Sequence, residues 1–106
     1  FLLGQSMKSV DLLQFSLTHQ SSINSAEFSP DGSKIVTASN DKTANVCDAE
    51  TGKIIWTLEH NDFINTAVFS PDSKIIVTAS NDKTAKVWNV EAQKALFTLE
   101  HAAFVN

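Results

Sequence analysis

A histidine, a threonine and an aspartate occur together twice in the sequence, with the same spacing each time. The two sets are His19, Thr37 and Asp41, and His60, Thr78 and Asp82. A hydroxyl, an imidazole and a carboxylate are the groups of a catalytic triad, in which the imidazole activates the hydroxyl as a nucleophile. Duplication, however, is expected of residues that build each of two similar units, and a catalytic site needs only one set. We therefore predict a structural hydrogen-bonded network and no catalytic residues.

No other pattern indicates an enzyme, a cofactor or a metal site. His19, His60 and His101 are 41 residues apart, and equivalent positions of separate units cannot share an ion at ligand distances of about 2 Å. The single Cys47 can form no internal disulfide and suits a reducing compartment. We interpret it as a small buried residue, with a reactive or metal-binding thiol as the alternative. We predict no cofactor, no metal and a cytoplasmic location.

The charge balance bears on the class of partner. The 106 residues include eight basic side chains, all of them lysine, and twelve acidic ones, for a net charge of −4. Arginine supplies most bidentate contacts to phosphate and guanine, so its absence argues against nucleic acid. No apolar run approaches the 18 or so residues of a membrane-spanning helix. We expect neither nucleic acid nor membrane as a partner.

The elements that must position these residues repeat with the same period. Phe28–Ala44 and Phe69–Ala85 share the pattern Phe-Ser-Pro-Asp followed by Val-Thr-Ala-Ser-Asn-Asp-Lys-Thr-Ala, 41 residues apart. A fixed period of this length is typical of a repeat architecture. Turn signals about every ten residues separate short β-branched segments, which predicts four-stranded antiparallel meanders in an all-β fold. The predicted strands are Ile23–Ser29, Lys34–Ser39, Thr43–Asp48 and Lys53–Leu58, then Phe63–Ser70, Lys74–Ser80, Thr84–Asn89 and Lys94–Leu99.

The repeat also divides the chain. Residues 1–11 do not fit it and are interpreted as a remnant, a tag or a linker. Residues 12–18 contain the predicted strand Leu12–Leu17, the last of a preceding unit; 19–59 and 60–100 are complete units, and 101–106 begin a further one. The segments Val36–Ser39 and Val77–Ser80 carry small side chains on both faces of their strands, which indicates that each sheet is covered on both sides.

At these residues the chain resembles the WD-repeat family of β-propellers. The matching elements are His60, Phe69–Asp72, Val77–Thr84 and Val87–Asn89. The resemblance implies that each meander is a propeller blade, either in a partial propeller or in a ring completed by oligomerisation of three or four copies. It further implies a row formed by His60, Thr78 (Ser80 as the weaker alternative), Asp82 and Trp88. In the first blade Cys47 replaces the indole donor, so we expect an incomplete row and a less stable blade.

The resemblance implies a non-catalytic protein–protein interaction scaffold that binds partners through a loop face. The candidate contact residues are Gln20, Ser21, Ser22, Asn40, Asn61, Asp62, Phe63 and Asn81. The two blades differ most in these loops, which a binding face would show; drift of solvated loops explains the same pattern. The expected partners are proteins, together with further blades from the same longer chain or from other copies. The alternative function is an accessory module of an enzyme or signalling NTPase whose catalytic domain is absent from this chain.

Overall fold

The computed structural model describes residues 15–100, which contain eight β-strands and no helix. The strands are β1 (Ile23–Phe28), β2 (Lys34–Ser39), β3 (Thr43–Asp48), β4 (Ile54–Glu59), β5 (Ile64–Phe69), β6 (Ile75–Ser80), β7 (Thr84–Asn89) and β8 (Lys94–Glu100). β1–β4 form one antiparallel sheet and β5–β8 a second, each with its strands in sequence order. The predicted all-β fold of four-stranded meanders is confirmed, and for the eight strands predicted in the two complete units each end lies within one residue of the observed one.

Some predicted segments fall outside this range. Residues 1–14 and 101–106, with the predicted remnant and the start of a further unit, lie outside the described residues. The predicted strand Leu12–Leu17 is described only from Phe15 onwards, and Phe15–Leu17 belong to neither sheet. The prediction assigned this strand to a preceding unit and not to either of these two sheets, and it stays a prediction. Within residues 15–100, no helix has the length and apolar character needed to cross a membrane.

The turn between β1 and β2 shows how local sequence ends the strands. The main-chain N–H of Gly32 donates to the main-chain oxygen of Ser29 over 2.8 Å, and Gly32 adopts a φ of 77°. The Asp31 carboxylate accepts hydrogen bonds from the Ser29 hydroxyl and from the main-chain N–H and hydroxyl of Ser33. These bonds, the one from Ser29 most strongly, lower the pKa of Asp31 to about 2. Ser73 replaces the glycine in the second sheet and makes the same turn at a φ of 65°. The Pro-Asp signal therefore forms this turn even without glycine.

The core of the described chain lies between the two sheets. Val36, Val46 and Trp56 stand directly opposite one another on β2, β3 and β4, so they project to the same side. Trp56 meets Trp88 of the second sheet edge-on, with ring centroids 5.7 Å apart. The cluster also contains Ala38, Ala44, Leu58, Ile64, Ala67, Phe69, Ile76 and Val90. Burial of this apolar surface holds the two sheets together.

The strands differ in how far they are covered. In β2, all residues from Ile35 to Ser39 are buried, as predicted for small residues covered on both sides, whereas in β6 Val77 is only half-buried. In β8, every residue is exposed. The two sheets therefore use the same sequence pattern in unequal surroundings.

Candidate functional site

The second sheet holds a row of hydrogen-bonded side chains. His60 Nδ1 lies 2.9 Å from Asp82 Oδ2, and His60 Nε2 lies 2.6 Å from Thr78 Oγ1. Trp88 on β7 donates its indole N–H to the same Thr78 oxygen over 2.9 Å. The structure thus brings together the four residues predicted for this row. Ser80 is not part of it, because its hydroxyl donates to a main-chain oxygen in the loop before β5.

A neutral imidazole satisfies every member of this row. Thr78 accepts the indole proton and donates its own to His60 Nε2, and the opposite ring nitrogen donates to Asp82. Burial lowers the pKa of His60 below its ordinary 6.5, although Asp82 acts in the opposite direction. Burial alone would raise the pKa of Asp82, but hydrogen bonds from Thr84, the main chain of Asn61 and His60 hold it well below 3.8. At neutral pH the row therefore contains a neutral histidine beside a carboxylate.

The first sheet has the same row without its indole. His19 Nδ1 lies 2.8 Å from Asp41 Oδ2, and His19 Nε2 lies 2.6 Å from Thr37 Oγ1. Cys47 stands in the place of the tryptophan, and burial raises the pKa of its thiol. The Asn45 side-chain nitrogen lies 3.4 Å from His19 Nε2. A cavity of about 90 Å³ adjoins Cys47, Thr37 and His19, so this row is less completely filled.

Neither row presents a nucleophile to solvent. The candidate hydroxyls belong to Thr37 and Thr78, which are 1% and 0% exposed. A triad nucleophile must reach a substrate carbonyl, and both hydroxyls are already bonded to their histidines. An open depression of about 400 Å³ beside the first row is lined by Thr18, His19, Gln20, Asp41, Thr43 and Asn45. Thr37 is not in its lining, so the depression does not expose the hydroxyl.

The histidines do not converge with other ligand types on a metal site. Within residues 15–100, no group of three or more His, Cys, Asp or Glu side chains could hold an ion. His19 and His60 each bond within their own row, and His101 lies outside the described residues.

The predicted contact residues lie at one end of the two sheets. β1 and β5 begin at this end, where β2 and β6 finish. We call this surface the loop face; it consists of Gln20, Ser21, Ser22, Asn40, Asn61, Asp62, Phe63 and Asn81. Gln20–Ser22 are exposed, as is Asn61. The Phe63 side chain is a large apolar group that remains 41% exposed.

The rows hold the backbone of the loop face in place. The carboxylates of Asp41 and Asp82 accept hydrogen bonds from the main-chain N–H groups of Gln20 and Asn61, each over 3.1 Å. Across the loop, the main-chain N–H of Asn81 donates to the Phe63 oxygen over 2.9 Å, and an equivalent bond closes the first loop. Each row therefore fixes the backbone of a loop on which Gln20–Ser22, Asn61 and Phe63 are exposed.

Four residues that sequence reasoning did not single out complete this arrangement. Thr43 and Thr84 donate their hydroxyls to the Asp carboxylates of their rows. Asn24 and Asn65 each donate a side-chain N–H, over 2.8 Å, to the loop-face amide 16 residues later. All four recur at the 41-residue period, and this recurrence was the signal that could have found them.

The comparisons with known proteins agree with this architecture. The family model of the WD domain, G-beta repeat, matches residues 11–48 and 52–89, more than half of the chain. The chain belongs to this family, and its two sheets are blades of a WD-repeat β-propeller. The second match contains β4 to β7, whereas the second blade consists of β5 to β8. The sequence repeat therefore begins one strand before the blade. Repeats of this family generally mediate protein–protein interaction, and the fold is typically non-catalytic.

Solved structures give the same fold. The chain is similar to the crystal structure of RRP9 WD40 repeats, with a TM-score of 0.76 and 22% sequence identity. The match covers 82% of this chain and 28% of that one, so this chain spans less than a third of its solved neighbour. At this identity the likeness shows the fold alone. No curated protein sequence matches the chain.

Proposed function

We propose that this chain is part of a non-catalytic scaffold that binds protein partners through the loop face. The observation that carries the proposal is the contrast between loop backbone and loop side chains. Both blades fix the backbone with the same bonds to Asp41 and Asp82. The side chains on these loops, Gln-Ser-Ser in one blade and Asn-Asp-Phe in the other, are different.

A fixed loop with variable side chains suits recognition, because a preorganised surface loses little conformational entropy on binding. Phe63 is the central contact of the proposal. Its main-chain N–H is bonded to Asp62 Oδ1 over 2.7 Å and its oxygen accepts from Ser80 Oγ over 2.8 Å, while its ring remains exposed. Exposed aromatic anchors held on a rigid backbone dominate many protein interfaces.

The proposal extends to the class of partner and its location. The absence of arginine and the net charge of −4 support protein rather than nucleic-acid partners. A single cysteine, buried as a thiol, supports a cytoplasmic location. Closure of the propeller is proposed to come from further blades of the same longer chain or from other copies. No feature of residues 15–100 favours the alternative, an accessory module of an enzyme or signalling NTPase.

Site-specific photo-crosslinking in cells tests the proposal. A photoreactive phenylalanine analogue is placed at Phe63 and, as a matched control, at the exposed Glu50 between β3 and β4, at the opposite end of the first blade. We expect a discrete protein adduct from position 63 that is absent from position 50. The adduct should also disappear when Asn61 and Asp62 are both changed to alanine. Identical adducts from both positions, or none from position 63, contradict a binding role for the loop face.

A further inference from the structure

The turn from β2 to β3 in the first blade offers hydrogen-bond donors to its surroundings. Asn24 Nδ2 donates to the main-chain oxygen of Ile64 and to Asn40 Oδ1, each over 2.8 Å. A main-chain oxygen can only accept, so the Asn24 atom in this contact is the nitrogen and the Asn40 atom facing it is the oxygen. The amide of Asn40 is therefore held by its oxygen. Its nitrogen carries two N–H bonds and has no acceptor among residues 15–100.

The carboxylate of this turn, Asp41, is fully engaged within the blade. Asp41 Oδ1 accepts hydrogen bonds from the main-chain N–H and the hydroxyl of Thr43. Asp41 Oδ2 accepts from His19 Nδ1 and from the main-chain N–H of Gln20. A carboxylate has about four lone-pair sites, and these four bonds use them. The turn therefore has no free carboxylate acceptor for a partner.

Lys42 completes the turn with a cation. Its side chain is exposed, its main-chain oxygen accepts the N–H of His60 over 3.0 Å, and its φ is 78°. Glycine adopts this conformation readily, whereas it is unfavourable for a residue with a side chain. The turn thus places an ammonium group at a position where glycine would suit the backbone better.

The turn from β6 to β7 in the second blade repeats this arrangement. Asn65 Nδ2 donates to Asn81 Oδ1 over 2.8 Å, and Asp82 accepts the four equivalent hydrogen bonds. Lys83 is exposed and has a φ of 73°. We call Asn40–Lys42 and Asn81–Lys83 the donor turns. Both lie at the loop-face end, one in each blade.

The acids near the donor turns leave both lysines without an ion pair. Glu59 and Glu100 lie at the ends of β4 and β8, and Asp62 lies in the loop before β5. Within residues 15–100, none of these acids forms an ion pair with the lysine of a donor turn. Together with the net charge of −4, they repel a strongly acidic partner. A partner that suits the donor turns therefore carries few carboxylates and places them at the turns.

We propose that the donor turns bind a segment of a protein partner that carries two carboxylates, one for each turn. Each carboxylate accepts a hydrogen bond from the asparagine amide and pairs with the lysine ammonium group. Hydrogen bonds to an ionised group are stronger than neutral ones, and the amides are already held by their oxygens, so little conformational freedom is lost on binding. The inference rests on the proposed function, because it names the chemistry of the partner at the loop face.

NMR titration of the nitrogen-15-labelled chain tests the proposal. The probes are glycine peptides that carry two glutamates at increasing separation, and matched peptides that carry two glutamines. We expect one glutamate spacing to shift the side-chain amide signals of Asn40 and Asn81 to saturation, with a Kd at least about fivefold lower than that of its glutamine counterpart. No saturable shift from any glutamate peptide, or equal Kd values for glutamate and glutamine, overturns the proposal.

Two variants with matched controls locate the site, read from the main-chain signals of the donor turns. Asn40→Asp keeps the oxygen that accepts from Asn24 and replaces the donor nitrogen by an acceptor, and Lys42→Gln removes the cation. Each should raise the Kd by at least about two- to fivefold. Asn89→Asp, which keeps its own bonded oxygen, and Lys53→Gln make the same changes at the opposite end of the blades and should leave the Kd unchanged. Equal effects of variants and controls overturn the proposal, because they indicate a general effect of charge.

The photo-crosslinking at position 63 separates this inference from the proposed function. A discrete adduct there, without a preference for glutamate peptides, overturns the inference and leaves the proposed function in place. A glutamate preference that Asn40→Asp removes, without an adduct at position 63, supports the donor turns as a carboxylate site and contradicts a partner held through Phe63.

Discussion

Replacing Thr78 by valine removes the atom at the centre of the complete row. The hydroxyl of Thr78 accepts the Trp88 indole proton over 2.9 Å and lies 2.6 Å from His60 Nε2. Valine has nearly the same shape, so the packing of the blade is retained while both partners lose their hydrogen bond. The same substitution at Thr37 in the first blade is a matched control, because that row has no indole.

The structure sets the size of the two effects. Thr78→Val leaves two buried groups without a partner, each costing about 1–3 kcal/mol, so we expect a loss of about 2–4 kcal/mol in the free energy of unfolding. Thr37→Val removes the short bond to His19 Nε2 and a long one, 3.4 Å, from the main-chain N–H of Asn45. The Asn45 side-chain nitrogen, 3.4 Å from His19 Nε2, can replace the lost donor. We expect about 1–2 kcal/mol there. The difference measures the contribution of the indole to the row.

Urea unfolding followed by far-ultraviolet circular dichroism measures both losses. Adding Trp88→Phe to Thr78→Val removes the orphaned indole proton, so the double variant should recover about 1 kcal/mol relative to the sum of the single losses. If Thr78→Val cost no more than Thr37→Val, the reasoning that the indole completes a cooperative row would be refuted.

Two further predictions concern pH and backbone strain. The folded chain lowers the pKa of His60 from 6.5 and that of Asp82 from 3.8, so at acidic pH the unfolded chain binds more protons than the folded one. The urea concentration at the unfolding midpoint should therefore decrease as the pH falls below 6.5, and decrease again below 3.8. A constant midpoint from pH 8 to pH 5 contradicts a neutral His60. Gln93 has a φ of 54°, which favours glycine, so Gln93→Gly should raise the free energy of unfolding by about 0.5–1 kcal/mol. The reverse change, Gly52→Gln, should destabilise by more, because its Cβ would meet the Phe15 ring; thermal unfolding of both variants checks the pair.

Much of the architecture was predictable because its causes are local. Pro-Asp turns, β-branched segments and the 41-residue period located all eight strands to within one residue. The rows were predictable because each combines residues that recur in register, and the resemblance to WD repeats indicated their roles. Thr43 and Asn24 were missed because threonine and asparagine are common in strands and loops. Their recurrence at the 41-residue period was a signal, but their partners are shown only by the hydrogen-bond geometry.

The sequence alone determined what each blade is: which residues form strands, where the turns lie, and that a histidine, a hydroxyl and a carboxylate recur together. It could not determine what each blade contacts. Leu58 and Leu99 occupy the same place in the repeat, yet the first is fully buried and the second half exposed. Local backbone preferences and hydrogen bonds depend on neighbours in the chain, whereas burial depends on which surface packs against which. That decision belongs to the tertiary structure, because the hydrophobic effect acts on surfaces brought together in space.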